Sequence, residues 1–351
     1  MQNINRHLIT ADQHIRAALS RLNELASDAI LFLVDKERHL IGSLTDGDIR
    51  RGIIKGLETS SPITEFAQLK PTFFRKNQYT IEEVIAARKL NLKIIPIVDE
   101  HDRLISIVNF RHTRSYLPLD AIIMAGGRGS RLRPLTDTTP KPLLKVGDKP
   151  IIEHNLDWLR HFGIDDFWIS VRYLGEQLEA FFGDGSQKNV SIQYLWEDEP
   201  LGTIGAVSKI EQFKHDYVLV TNSDILTNLD FEDFFLFFLE KEADLAIATI
   251  PYNVNIPYAV LETNNEDHIL SFREKPTYTY YSNGGIYLMK REVLERIPKN
   301  AFFDTTDLMQ ELISGGSKVV SYPVRQYWLD IGKPEDFEKA QADIKHLDLN
   351  L

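Results

Sequence analysis

The sequence predicts an α/β protein in two parts: a Rossmann-like, doubly wound mixed sheet over residues 118–351, preceded by a smaller α+β module over residues 1–117. Three observations carry this prediction. From Asp120 onward, short apolar runs alternate with amphipathic ones, the pattern of strands and helices wound around a largely parallel sheet. The first of those runs, AIIMA at 121–125, leads into a glycine turn, and sheets of this kind bind ligands beyond the carboxyl ends of their strands. The first third of the chain contains an internal repeat instead.

The repeat is read from two aligned segments. Residues 29–40, AILFLVDKERHL, and 93–104, KIIPIVDEHDRL, are each an apolar strand, a Val-Asp, a charged turn and a return strand. The segments that follow, LIGSLTDGDIRRG and LISIVNFRHTRSY, align as well. A helix precedes each unit. In the first, Ile15, Ala18, Leu19, Leu22 and Ala26 share one helical face, with Asp12 as the expected N-cap. In the second, Thr80 and Glu83 form a capping box ahead of Val84, Ile85 and Ala87. A closing helix is expected to end before Pro118, because proline disfavours helix at the residue before it. The linker there is short, so the two parts should pack together.

Beyond Pro118 the expected strands are AIIMA at 121, FWISV at 167, VSIQYLW at 190, YVLVT at 217 and LAIATI at 245. The expected helices are IIEHNLDWLRHF at 151, LGEQLEAFF at 174, GTIGAVSKI at 202 and DFEDFFLFFLEK at 230. The last is too short and too acidic for a membrane span and reads as a buried helix.

Composition narrows the function. The net charge of −11 argues against a nucleic-acid surface, which needs a basic stripe. The absence of cysteine removes disulfides, thiolate metal sites and cysteine nucleophiles together. The first residues contain no apolar core of a secretory signal, so the cytoplasm is the expected location.

The richest stretch is AIIMAGGRGSRLRPLTDTTPKPLLK at 121–145. After Ala125, the glycines Gly126, Gly127 and Gly129 permit a tight turn with bare N–H groups, a concavity suited to anions. Ser130 follows, then Arg131 and Arg133, with Arg128 inside the turn and Lys141 beyond a short loop. These cations suit phosphate oxygens. Neither a dinucleotide fingerprint nor a P-loop fits, since Leu132 stands where a third glycine belongs and no G-K-[ST] run exists. Taken alone, the same letters also describe a surface turn with solvated arginines.

Two acids follow apolar strands. Asp224 ends YVLVTNSD, and Asp330 ends YWLD ahead of Gly332 and Pro334. Mg²⁺ takes one or two carboxylates together with phosphate oxygens, so this pair is the candidate metal site. A turn or N-cap aspartate is the competing reading for either residue alone. Glu274 and Lys275, followed by Asn283, offer hydroxyl acceptors and an ammonium for a sugar phosphate. Glu199-Pro200-Leu201-Gly202-Thr203 puts a flexible glycine, Gly202, ahead of a helix start.

GGRGSRLRPLT followed by PKPLL resembles the nucleotide-binding segment of sugar-1-phosphate nucleotidyltransferases, whose GT-A-like sheet matches the one predicted. The resemblance covers residues 119–345, with four motifs in family order. It implies Arg131, Lys141, Asp224 and Lys275 as catalytic residues and Ala125, Gly126, Gly127, Gly129, Ser130, Arg131 and Gly202 as nucleotide contacts. It also implies Glu274, Lys275 and Asn283 at the sugar phosphate and Asp224 and Asp330 as Mg²⁺ ligands. No hexapeptide-repeat acetyltransferase segment is expected. The repeat at 1–117 resembles a tandem CBS (Bateman) module, whose G-x-x-[ST]-x-x-D nucleotide motif is matched by Gly42, Thr45 and Asp48. The second repeat departs from it with Ser106, Asn109 and His112, so one adenosine-nucleotide site is implied. The combination resembles guanylyltransferases of surface-sugar pathways. GTP with a glucosamine- or mannose-1-phosphate-like sugar is therefore expected, in a homo-oligomer. A uridylyl- or thymidylyltransferase acting on glucose-1-phosphate, and a non-catalytic nucleotide sensor, stay open.

Overall fold

A computed structural model describes residues 4–347. The first repeat comprises β1 (Leu8–Thr10), α1 (Ile15–Leu25), β2 (Ile30–Val34), β3 (Leu40–Thr45), α2 (Asp46–Ile54) and the single turn α3 (Ile63–Phe66). The second comprises β4 (Phe74–Arg75), α4 (Ile81–Lys89), β5 (Ile94–Val98) and β6 (Leu104–Asn109). Each forms a three-stranded sheet, β1-β2-β3 and β4-β5-β6, with the first pair parallel and the second antiparallel. The ladders slip at equivalent places, between Leu33 and Val34 and between Ile97 and Val98. Gly42 stands opposite Leu33 as Ser106 stands opposite Ile97, which matches the sequence alignment of the repeats.

Three local expectations are corrected. Asp12 does not cap α1: its carboxylate accepts from the Thr10 hydroxyl at 2.5 Å, and His14 occupies the cap position. Leu19 is exposed and Ala26 lies past the helix end with φ of 50°, so Leu25 takes the core position. No helix closes the second repeat among the described residues; residues 110–118 run as turns and extended chain. The reason is local. In the first repeat Thr45 and Asp48 bond reciprocally and open α2, whereas His112 replaces the acid in the second. There the Asn109 side chain instead accepts from the Arg111 N–H at 3.0 Å and holds a turn. The Thr80–Glu83 capping box forms as expected.

The larger part begins at β7 (Leu119–Met124). It continues through β8 (Lys145–Val146), β9 (Lys149–Pro150), α5 (Ile151–His161), β10 (Asp166–Val171), α6 (Gly175–Phe182), β11 (Ser191–Trp196), β12 (Tyr217–Asn222), β13 (Ile225–Thr227) and α7 (Phe231–Glu240). Then come β14 (Leu245–Asn255), β15 (Val260–Thr263), β16 (Ile269–Arg273), β17 (Thr277–Lys290), α8 (Thr305–Ser314), β18 (Val319–Pro323), β19 (Trp328–Asp330) and α9 (Pro334–Asp343). The seven-stranded sheet has the order β11-β10-β7-β12-β17-β14-β18. Only β17 runs against its neighbours.

Both faces of the sheet are buried, which is why β7 reads as a continuous apolar run. Ala121 and Ile123 pack with Leu156, Phe162, Phe234 and Phe238 on one face; Ile122 and Val220 pack with Leu308 and Leu312 on the other. Phe74, Tyr79, Ile81 and Val84 of the second repeat join the first of these cores, so the two parts share apolar packing. The helix expected at 202 is a short 3₁₀ turn, Gly205–Lys209. The chain there is strapped to residues 301–305 by Phe303 N–H to Leu201 O at 2.9 Å and Thr203 N–H to Asp304 Oδ1 at 2.8 Å. Those bonds take the donors and carbonyls a helix would use. The strand expected at 245–250 extends to Asn255 and forms a long ribbon with β17.

A polar cluster lies where the repeat module meets the amino-terminal ends of β7, β10 and β12. Lys76 of the module contacts Asp165 at 2.6 Å and Asp166 at 3.4 Å, and Lys214 contacts Asp166. Asp120 accepts from the Lys214 and His215 amides at 2.8 and 2.9 Å. Asp120, Asp166 and His215 bring one polar atom each within 4.8 Å of one another. Burial pushes Asp120 up to about 7, with the negative charge of Asp166 adding to the effect. Burial pushes His215 down to about 4, helped by the Lys76 charge.

Candidate active site

At the opposite, carboxyl ends of β7 and β12, a cleft of about 460 Å³ opens. The glycine turn forms one wall, and its glycines have different reasons to be glycine. A Cβ on Gly126 would stand 2.7 Å from Glu197 Oε1. Gly129 has φ of 63°, and its Cβ would stand 2.8 Å from the Cβ of Lys141. Gly127 faces open space, so its backbone is the one left free for a ligand to approach. Ala125 is buried and its N–H is spent on Ser170 O at 2.9 Å, so that amide does not face the cleft.

The four cations of the turn separate. Arg131 and Lys141 line the cleft. Arg128 lies over the Tyr173 ring, 5.2 Å from its centre, and Arg133 pairs with Asp137 at 3.2 Å. Lys141 is buried and ion-paired to Asp224.

Asp224 and Asp330 come together through the two-stranded ribbon β13–β19. Ile225 stands opposite Asp330, and the Ile331 N–H donates to Asp224 O at 3.0 Å. Asp224 Oδ1 and Asp330 Oδ1 are both buried without a hydrogen-bond partner among the described residues. Burial, and next the negative charge of Asp224, raise Asp330 above the usual carboxylate range, while Lys141 and Arg131 work against the rise. Asp224 lines the cleft and Asp330 does not; two neighbouring carboxylates with orphaned oxygens, one of them at the cleft, fit a hard divalent cation such as Mg²⁺. The Arg131 guanidinium lies over Gly332, 3.3 Å from where a Cβ would stand, so a side chain there would push it away.

The remaining candidates read from the sequence fall in different places. Ser130 and Gly202 line the cleft. Gly202 also has φ of 80°, and a Cβ would stand 2.5 Å from Phe303 O, so the backbone strap alone demands a glycine. Glu274 and Lys275 lie exposed on the turn between β16 and β17 and do not line the cleft. Asn283 sits at the root of that ribbon, its Oδ1 accepting from the Gly285 N–H at 2.9 Å. In the repeat module, Thr45 and Asp48 are engaged with each other and Asp48 with Arg51 at 2.6 Å. A Cβ on Gly42 would stand 2.9 Å from Gln68 O. All three therefore have structural duties.

Four residues of the cleft escaped sequence reasoning: Arg172, Glu197, Phe302 and Asp304. The first two, Arg172 and Glu197, come directly after the ends of β10 and β11. Glu197 is buried, accepts from the Ser170 hydroxyl, and accepts from the Leu201 N–H at 3.1 Å. For Arg172 and Glu197 the signal was position: each is the first charged residue past the carboxyl end of a parallel strand, where ligands of such sheets bind.

A mixed, parallel-rich sheet with a glycine-arginine turn and two carboxylates at its ligand end defines a nucleotide-handling α/β domain. The chain belongs to the nucleotidyl transferase family, which matches residues 120–346. It is 32% identical over 231 residues to a mannose-1-phosphate guanylyltransferase of Mycobacterium tuberculosis, covering 64% of this chain and 64% of that protein. It is 33% identical over 241 residues to a UTP–glucose-1-phosphate uridylyltransferase of Synechocystis, covering 63% of this chain and 62% of that one. A D-glycero-alpha-D-manno-heptose 1-phosphate guanylyltransferase of Aneurinibacillus thermoaerophilus is matched over 99% of its length at 31% identity, taking in 65% of this chain. Among solved structures, HddC from Yersinia pseudotuberculosis complexed with GMP-PN superposes with a TM-score of 0.50 at 26% identity, covering 64% of this chain and 99% of that one. No helix among the described residues is long and apolar enough to cross a membrane.

Proposed function

We propose that the protein is a sugar-1-phosphate guanylyltransferase, joining GTP to a hexose- or hexosamine-1-phosphate of the mannose or glucosamine type and releasing pyrophosphate. The observation that carries this reading is the Asp224–Asp330 pair, two neighbouring carboxylates with buried orphaned oxygens, of which Asp224 lines the cleft walled by the glycine-arginine turn. The preference for GTP is supported by the guanylyltransferase relatives. The uridylyltransferase relative supports UTP with glucose-1-phosphate as the second reading.

The reaction is displacement at the α-phosphorus. A sugar-phosphate oxygen forms the new P–O bond, the bond to the β-phosphate breaks, and pyrophosphate leaves. The attacking oxygen is ionised at neutral pH, so no side chain has to remove a proton. What the chain supplies is position and positive charge. Gly127 and Ser130 offer backbone donors to the triphosphate, and Arg131 pairs with the departing phosphates. Lys141, held by Asp224, faces the reacting centre. Asp224 and Asp330 would hold Mg²⁺, which when bound neutralises charge on the phosphates. Glu274, Lys275 and Asn283 are assigned to the sugar phosphate. Because Glu274 and Lys275 do not line the cleft, this assignment requires the ribbon that bears them to move inward.

For residues 1–117 the reading is a tandem CBS module, supported by two sheets of the same topology and ladder slip. An adenosine nucleotide at Gly42, Thr45 and Asp48 would have to open the Thr45–Asp48 capping box.

The test is to incubate the full chain with each nucleoside triphosphate, Mg²⁺ and a panel of sugar-1-phosphates, and to measure pyrophosphate. Release with GTP and a mannose- or glucosamine-type phosphate is expected. Release only with UTP or dTTP and glucose-1-phosphate supports the second reading. No release from any pair overturns both and favours a nucleotide sensor.

A further inference from the structure

A cavity of about 260 Å³ lies at the seam between the second repeat and the transferase body, and it shares no lining residue with the catalytic cleft. From the repeat side it is lined by Ser106, Asn109 and His112, the three positions at which the second repeat departs from Gly42, Thr45 and Asp48 of the first. From the body side it is lined by Arg160 and His161, in the last turn of α5. The two walls meet where His161 Nδ1 lies 3.3 Å from His112 O. In the first repeat the equivalent positions are occupied by local bonds, since Thr45 and Asp48 bond each other and open α2. In the second repeat those bonds and that helix are missing, and the cavity is lined by the residues that replace them.

Arg160 is a cation in surplus. The acids beside it, Glu153 and Asp157, already have ammonium partners: Lys188 lies 2.6 Å from Glu153 and 2.9 Å from Asp157, and Lys149 lies 2.9 Å from Asp157. Arg160 reaches Asp157 only at 3.9 Å and the Lys188 carbonyl only at 3.4 Å. Its Nε–H is buried without an acceptor among the described residues. The carbonyls that end α5 do not need it either, because Leu159 O, Arg160 O, His161 O and Phe162 O accept from the N–H groups of Phe162, Gly163, Arg114 and Leu117. A buried donor left unmade is costly, so this guanidinium calls for an acceptor from outside the chain. The carboxylate of the lining, Asp165, is paired with Lys76 at 2.6 Å and does not cancel Arg160. At position 112 an imidazole stands where the first repeat has the Asp48 carboxylate, which removes a charge that would repel an anion.

We propose that this cavity binds a phosphate monoester, at a site separate from the catalytic cleft and built jointly by the second repeat and α5. The Arg160 guanidinium takes the phosphate, whose oxygens match its planar donors. Ser106, Thr113, Asn189 and Asp165, all in the lining, serve the hydroxyls of the molecule that carries the phosphate, a sugar or a nucleoside. The same helix touches both sites: earlier on α5, the Asn155 amide donates to Ser223 O, beside Asp224, at 3.2 Å.

Titration calorimetry of the full chain at two temperatures tests the proposal with inorganic phosphate, glucose 6-phosphate and AMP. None of the three is a substrate of the proposed reaction, and the readout is binding, so the result stands whether or not the chain is a guanylyltransferase. At least one of the two monoesters is expected to bind more tightly than inorganic phosphate. Tighter binding of glucose 6-phosphate identifies the carrier as a sugar, and tighter binding of AMP as a nucleoside. Arg160→Gln and His112→Glu should each weaken that binding by about tenfold or more, the loss of one charge-assisted contact or the gain of one repulsion. The Arg160 side chain is 37% exposed and His112 is exposed, so both variants should melt near the wild type. Arg131→Met, in the cleft, should bind as the wild type does. No heat with either monoester at both temperatures overturns the proposal, and inorganic phosphate binding as tightly as both does so in favour of a site for inorganic anions. Binding lost in Arg131→Met overturns it in favour of the catalytic cleft, and binding that survives both seam variants overturns it in favour of the first repeat.

Discussion

The same domain contains two aspartate pairs, one half-buried and one buried, at opposite ends of its parallel strands. Asp224 and Asp330 sit at the carboxyl ends of the strands, and Asp120 and Asp166 at the amino ends. Both pairs include oxygens without a hydrogen-bond partner among the described residues, and in both one member is pushed upward by burial and by its neighbour. Their surroundings differ. Asp224 of the first pair lines an open cleft beside Lys141 and Arg131, with Asp330 next to it. The second is buried against the repeat module, Asp166 at the edge of a cavity lined also by Lys76, Asp165 and Lys214, beside a neutral His215. Around it three carboxylates, counting Asp165, face two ammonium groups, so a single proton on Asp120 balances the charge, whereas a divalent cation would leave an excess of positive charge. Identical side chains thus suit a metal at one end and a proton at the other. The count of nearby charges decides which.

The largest expected effect breaks the first pair. Asp224→Asn should lower turnover by roughly 10³-fold while leaving the melting temperature near that of wild type. Asp120→Asn should leave turnover within a few fold, so a pyrophosphate assay on both variants separates the two ends. A large loss in Asp120→Asn would contradict the division.

Removing Lys76 attacks the second pair from the module side. Lys76→Met leaves Asp165 without its ammonium partner and Asp166 with only Lys214. A loss of about 2–4 kcal/mol in urea unfolding is expected, with little change in turnover.

Next in size is an opposed pH dependence. Asp120 rises from 3.8 to about 7 on folding, so its contribution is full below pH 3.8 and fades as pH climbs through 7. His215 falls from 6.5 to about 4, so its contribution is full above pH 6.5 and fades as pH drops toward 4. Folding in effect moves a proton from imidazole to carboxyl, and the two slopes nearly cancel in the wild type. His215→Gln should unmask a stability that falls between pH 4 and 7, and Asp120→Asn one that rises between pH 4 and 6.5. Each change should amount to about 1–3 kcal/mol across its window. Unfolding curves of both variants that stay as flat as the wild type would show that the proton does not move.

The smallest expected effect is ligand stabilisation. Mg²⁺ should raise the melting temperature of the wild type by a few degrees and that of Asp330→Asn by less, while Asp120→Asn should respond as the wild type does. A response lost in Asp120→Asn but kept in Asp330→Asn would exchange the roles of the two ends.

The legibility of these features followed the range of the interaction that made them. Strands β7, β10 and β12, each buried on both faces, are legible because burial writes an apolar run into the sequence itself. The Thr80–Glu83 capping box was readable because both partners lie within one turn. Asp224 and Asp330 were each visible as an acid after a strand, yet their proximity was not, since a ribbon joining residues a hundred positions apart creates it. Arg128 and Arg133 looked equivalent to Arg131 until the Tyr173 ring and Asp137 took them. The Asp120–Asp166–His215 cluster left no mark that separated its acids from ordinary strand-end residues.

The sequence by itself determined the alternation of strands and helices, the internal repeat and the glycine-arginine turn, because periodicity and backbone freedom are local properties. Tertiary structure alone decided that a side chain would clash at Gly126 and Gly129 but not at Gly127, that Glu274 and Lys275 ride on a ribbon outside the cleft, and that Asp120 and Asp166 are the more deeply buried aspartate pair. Those outcomes depend on what approaches each residue from elsewhere in the chain, and distance in space is not encoded in any single stretch of residues.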